Sequence, residues 1–140
     1  IPGNGLHITQ LGHVKDLAMA MVNILGNDKA IGQIYNISGE RFITFDGLAR
    51  SCAEATGKSP DSIKLVHYDP KKFDFGKKKA FPLRLQHFFT SINKAITELN
   101  WQPKYDLISG LKDSFENDFM ASGRAKAEVD FSIDDKILKV

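Results

Sequence analysis

Gln33-Ile34-Tyr35-Asn36-Ile37-Ser38-Gly39 is the run on which the fold turns. Short, β-branched and aromatic, and closed by a glycine, it reads as a buried strand. Before it, Leu17, Ala18, Met21, Val22 and Leu25 recur at helical spacing. Asp16 suits that helix's start, where free amides and the dipole favour a carboxylate, and Gly26-Asn27 supplies a stop. After it, Thr44 can cap a helix carrying Leu48, Ala49, Cys52 and Ala53 that ends at Gly57. Residues 63–68 then read as a second strand, closed by Asp69-Pro70, and residues 6–14 as extended. Helices alternating with single strands make an α/β order.

Further on, Ser91 can cap a helix whose Ile92, Ala95, Ile96 and Leu99 fit the i, i+3, i+4, i+7 template, with Pro103 as breaker. Trp101, at that helix's end, reads as a packing residue. Asp106 caps a last helix with Ile108, Leu111, Phe115 and Phe119 on one face, ending near Gly123. Residues 124–140 show no clear cap or turn signal. Two strands cannot make a covered parallel sheet, so the remaining strands are expected N-terminal to Ile1. The opening Ile1-Pro2-Gly3-Asn4-Gly5, turn-forming and without an initiator Met or leader, reads as the middle of a larger protein.

The chain has 140 residues, 42% hydrophobic and 26% charged, enough for one core and too few for two comfortable domains. Its 19 Lys and Arg stand against 17 Asp and Glu, a net +2, so any strong positive field is local. The lone Cys52 excludes a disulfide framework, suits a reducing compartment and reads as a small core residue on its helix's apolar face. No run approaches a membrane span, and no membrane partner is expected.

The local field is found at residues 71–87, KKFDFGKKKAFPLRLQH, where Lys71, Lys72, Lys77, Lys78, Lys79 and Arg84 alternate with phenylalanines and only Asp74 opposes them. Cations neutralise phosphates and aromatic faces stack on unpaired bases, so looped or single-stranded nucleic acid is the indicated partner. The competing reading is a solvated loop whose Phe73, Phe75, Phe81, Phe88 and Phe89 plug into the core. Three adjacent lysines repel one another unless something anionic arrives, which favours binding.

Other chemistries find little footing. Gly3-Asn4-Gly5 lacks the third glycine and the preceding strand of a dinucleotide fingerprint, so no cofactor-binding residue is assigned. His7, His13, His67 and His87 show no metal-ligand spacing, and His13 reads as structural. Asp130, Asp134 and Asp135 could hold a hard cation but read better as solvated tail charges; no metal site is assigned. No nucleophile with base and orienting acid stands out, and catalytic residues stay unassigned.

The order of Gly12-His13-Val14-Lys15-Asp16-Leu17-Ala18, Ile34-Tyr35-Asn36-Ile37-Ser38-Gly39, Thr44 with its helix, Lys94-Ala95, Leu99-Asn100-Trp101-Gln102-Pro103 and the helix from Leu107 to Leu111 resembles the C-terminal half of the extended short-chain dehydrogenase/reductases, the family of the sugar-nucleotide epimerases and dehydratases. More narrowly, Gln10-Leu11-Gly12-His13-Val14-Lys15-Asp16-Leu17, Val66-His67-Tyr68-Asp69-Pro70-Lys71, Gly76-Lys77-Lys78-Lys79-Ala80-Phe81-Pro82 and Asp134-Asp135-Lys136-Ile137-Leu138 resemble that superfamily's atypical chloroplast stem-loop-binding branch. The resemblance implies an α/β fold: the C-terminal part of a Rossmann-like protein, with the last sheet elements and the smaller substrate-side subdomain. Residues 1–60 would complete the sheet and helices, 61–123 form that subdomain and 124–140 the tail. It also implies RNA binding in the chloroplast stroma, on stem-loops of plastid mRNA or rRNA, with endoribonuclease activity, ribosome association and oligomers with itself or a paralogue.

The family's glycine-rich loop and Tyr-x-x-x-Lys pair belong to its N-terminal half, which leaves NAD(P) to the complete protein and a divalent metal to any RNA cleavage. Arg84 falls where epimerases carry an Arg on the substrate diphosphate, but the Arg-x-Gly-Asp pattern is replaced by Arg84-Leu85-Gln86-His87. A phosphate-reading Arg serves RNA equally. The expected function is therefore RNA binding by Lys71, Lys72, Lys77, Lys78, Lys79 and Arg84. The alternatives are an NAD(P)-dependent sugar-nucleotide epimerase or dehydratase, and a structural assembly subunit.

Overall fold

The computed structural model describes residues 1–76 and 85–139. Lys77, Lys78, Lys79 and Arg84, and Phe81 with them, lie outside the described residues. Five α-helices are described: α1 (Val14–Ile24), α2 (Phe45–Ala55), α3 (Asn93–Leu99), α4 (Leu107–Ser114) and α5 (Ser132–Leu138). Two short strands, β1 (Ile8–Thr9) and β2 (Ile43–Thr44), pair antiparallel with Ile8 opposite Thr44 and Thr9 opposite Ile43. Thr9 also bridges Phe88 in parallel, so three extended segments meet at β1.

The expected helices form, and their caps explain where they start. Thr44 caps α2, its hydroxyl oxygen accepting the Gly47 amide at 3.1 Å, and Asp106 caps α4 by accepting the Ser109 amide at 2.8 Å. The α4 path continues through a π-helical turn (Phe115–Met120), in which Phe115 and Phe119 stack at 5.8 Å. Around α3, the buried residues Ile92, Ala95 and Leu99 join Ala20 and Trp101 in the central core, with Ala30, Tyr35, Ile37 and Ile96 packed on it. α2 packs against α4.

Asp16 departs from its expected role. The cap of α1 is His13, whose Nδ1 accepts the Lys15 amide, and the Asp16 carboxylate turns inward, 4% exposed. It accepts the amides of Lys104 (2.9 Å) and Tyr105 (3.1 Å), while its backbone carbonyl accepts the indole N–H of Trp101 at 2.9 Å. A buried carboxylate persists only when its oxygens are satisfied, and here the two amides that follow Pro103 satisfy them. This latch joins α1 to the α3–α4 connection across 85 to 89 residues of sequence. Beside it, Lys15 reaches Asp113 Oδ1 at 2.6 Å, and His13 stacks on Tyr105 at 3.9 Å. The hydrogen bond from Lys15 holds the Asp113 carboxyl below its usual range.

Both expected strands need correction. Residues 33–38 alternate as a strand does, with Tyr35 and Ile37 facing the core and Ile34 87% exposed. They form no ladder among the described residues, because nothing there lies alongside to exchange hydrogen bonds. Residues 63–68 are extended but pair only near Tyr68, where Gly3 donates to the Tyr68 carbonyl (2.9 Å) and the Tyr68 amide donates to Ile1 (3.0 Å). The apolar face read on α1 is largely bare: Leu17, Met21, Val22 and Leu25 are exposed, and small Ala20 is what reaches the core.

Two smaller readings also change. Cys52 is exposed, although Phe45, Leu48, Ser51, Ala53 and Ala55 of the same helix are buried. Partial desolvation still pushes its thiol pKa up. The tail holds a helix that was missed, with Asp130 accepting the Ser132 amide at 3.0 Å as its start signal.

Replacing Asp16 by Ala in the complete protein should cost about 2–4 kcal/mol, because two buried amides lose their acceptor; Trp101→Phe, which removes one donor, should cost about 1–2 kcal/mol. Urea midpoints check this, and an Asp16→Ala protein as stable as the parent would remove the latch from the account.

Candidate nucleic-acid interface

The basic segment starts on a platform built from local turns. Asp69 accepts the Lys71 amide at 3.1 Å and opens the 3₁₀ turn Pro70–Lys72, where proline pre-sets the backbone. Both lysines of the turn, Lys71 and Lys72, are exposed. Asp74 then accepts the Gly76 amide at 2.8 Å, with Gly76 at φ 57. Between the two turns Phe73 and Phe75 stack with parallel planes at 5.7 Å, and Tyr68 meets both edge-on at 5.6 and 6.2 Å. Desolvation raises the Tyr68 hydroxyl pKa, with a smaller contribution from Asp134.

The two readings of the phenylalanines therefore divide. Phe73 and Phe75 pack half-buried on Tyr68 and on each other. Phe88 and Phe89 do not plug into the core; they are 57% and 56% exposed. Phe89 lies 5.3 Å from the ring of Phe42, which is also exposed. β1 brings that pair together, since it pairs with β2 just after Phe42 and bridges Phe88. A cavity of about 480 Å³ opens beside them, lined by Gln10, Asn36, Ser38, Phe88, Phe89 and Thr90. Gln10 braces it, donating to the Gly39 carbonyl and accepting the Thr90 amide, each at 2.7 Å.

Three of the four histidines, His7, His67 and His87, lie near the start of the chain. His7 and His87 lie 5.6 Å apart, and the Ile8 amide donates to His87 Nδ1 at 3.1 Å, so a neutral His87 carries its proton on Nε2. His67 Nε2 lies 2.8 Å from Asp46 Oδ1. Neither Phe42 nor this convergence was legible in advance, because the separations are long and no local periodicity encodes them. Among the described residues no group of three or more His, Cys, Asp or Glu could hold a metal ion.

Gly3 and Gly5 both have positive φ, and a Cβ on Gly5 would fall 1.9 Å from Asp46 Oδ1. That turn is filled by a carboxylate and leads into β1 rather than a helix, so the residues present do not fit a dinucleotide phosphate.

No protein-family model matches the chain. It is 56% identical over 138 residues to the chloroplast stem-loop binding protein of 41 kDa b of Arabidopsis thaliana, a match covering 99% of this chain and 36% of that protein. Over nearly its whole length the chain is thus similar to about a third of that protein. Its fold is that of the extended short-chain dehydrogenase/reductases. A UDP-glucose 4-epimerase from Thermotoga maritima superposes with TM-score 0.64 at 23% identity, over 87% of this chain and 34% of the enzyme. A dTDP-glucose 4,6-dehydratase from Bacillus anthracis, solved with NAD, superposes with TM-score 0.58 at 24% identity, over 84% and 34%. The chain spans about a third of the length of each of these relatives. Among the described residues no helix is long and apolar enough to cross a membrane.

Gly5→Ala should destabilise the complete protein by about 1–3 kcal/mol, chiefly from the strained backbone at positive φ, with Asp46 forced to shift. Thermal unfolding measures this; unchanged stability with weakened nucleotide binding would instead make the turn a phosphate cradle.

Proposed function

We propose that this chain is part of a chloroplast stromal protein that binds stem-loop RNA on a dehydrogenase-type scaffold. The observation that carries the reading is the outward display of Lys71 and Lys72 beside the Tyr68, Phe73 and Phe75 cluster, at the head of the basic segment. The name of the Arabidopsis relative supports it. In this reading Lys71, Lys72, Lys77, Lys78, Lys79 and Arg84 hold phosphates along the backbone, which releases counterions and sets position without sequence preference. Exposed Phe42, Phe88 and Phe89 offer faces on which unpaired loop bases stack.

Endoribonucleolytic cleavage belongs to the same reading, and no residue of this chain is assigned to it. NAD, named for the dehydratase neighbour, would be held by parts of the complete protein other than these residues.

Replacing Lys77, Lys78 and Lys79 together by Ala in the complete protein should flatten the slope of log affinity against log salt by roughly two to three units, at about 0.7–0.9 per phosphate contact. The loss should be alike for RNAs of different sequence. An unchanged slope combined with weakened nucleotide-sugar binding would assign these lysines to a metabolite site.

A further inference from the structure

The charge of the tail mirrors that of the basic segment. Residues 128–135 carry Glu128, Asp130, Asp134 and Asp135 with no cation among them, whereas residues 71–79 carry five lysines and one acid. Opposite fields at two distant places in a chain attract when the fold brings them together. At the head of the basic segment, where Lys71 and Lys72 are exposed, α5 returns to the platform: Lys136 Nζ donates to the Asp74 carbonyl at 2.5 Å, across 62 residues. Asp134 is close enough to Tyr68 to contribute to the raised pKa of its hydroxyl, after desolvation.

The docking is shallow. No residue of α5 is buried, and Phe131 and Leu138 at its ends are more than half exposed. An element with so little buried surface opens at small cost.

We propose that the acidic stretch 128–135, carried onto the platform by α5, is an electrostatic strap over the head of the basic segment that RNA must displace. The inference rests on the RNA-binding reading and adds its regulation. Tethered carboxylates occupy the phosphate path at high effective concentration, and the apparent RNA affinity falls in proportion to the fraction of molecules with the strap open. Screening weakens the strap as well as the RNA contacts, so its effect is largest at low salt.

The test measures stem-loop RNA binding by fluorescence anisotropy with the complete protein. Asp134→Asn with Asp135→Asn should raise affinity about three- to tenfold at low salt, with the gain shrinking at high salt. A control of equal charge change, Asp28→Asn with Glu54→Gln, should raise it less than twofold. RNA should also speed tryptic cleavage at Lys136, because displacement frees the tail. Equal gains in both variants, no gain at Asp134 and Asp135, or RNA protection of Lys136 would overturn the strap while leaving RNA binding intact. If the parent protein binds no RNA at any salt, the reading beneath it fails and the strap with it.

Discussion

One buried carboxylate ties the first helix of this chain to the connection between α3 and α4. Asp16 sits at the first turn of α1, and its oxygens satisfy the Lys104 and Tyr105 amides that follow Pro103. With the Trp101 indole on its own carbonyl, three hydrogen bonds cross between the first and last thirds of the sequence. The core of Ala20, Ile92, Ala95, Leu99 and Trp101 is closed by this contact. Hydrophobic burial supplies most of the stabilisation, but it is non-directional; the charged hydrogen bonds fix which face of α1 meets α3.

That frame is shared with nucleotide-sugar enzymes, and fold alone does not carry their function. Beside the platform of Tyr68, Phe73 and Phe75, the side chains of Lys71 and Lys72 are exposed. The three-segment meeting at β1 leaves Phe42, Phe88 and Phe89 facing outward. Dispersed cations and exposed rings suit an extended polyanion with unpaired bases better than an enclosed sugar.

Helices were legible in the sequence where a cap residue and the 3.6 period coincided, as at Thr44 with Leu48 and at Asp106 with Leu111. Asp16 misled because an acid in a first turn satisfies local rules while its partners lie 88 and 89 residues away. The strand expected at 33–38 has the right alternation, yet a ladder is a property of two segments and only one is described. α5 was missed because its start signal, Asp130 with Ser132, is two residues long inside an acidic, apolar alternation. For the candidate site, the lysines were readable as a charge run. Phe42 and the convergence of His7, His67 and His87 were not, since only the tertiary path through β1 and Gly5 brings them together.

The central claim is that this scaffold presents a polyanion-binding face in place of a sugar-nucleotide site. The most direct measurement is a pair of titrations of the complete protein, with a stem-loop RNA and with UDP-glucose, each across a range of salt concentrations. The account predicts RNA binding that weakens steeply as salt rises and no saturable binding of the nucleotide sugar. Tight, salt-insensitive binding of UDP-glucose without RNA binding would contradict it.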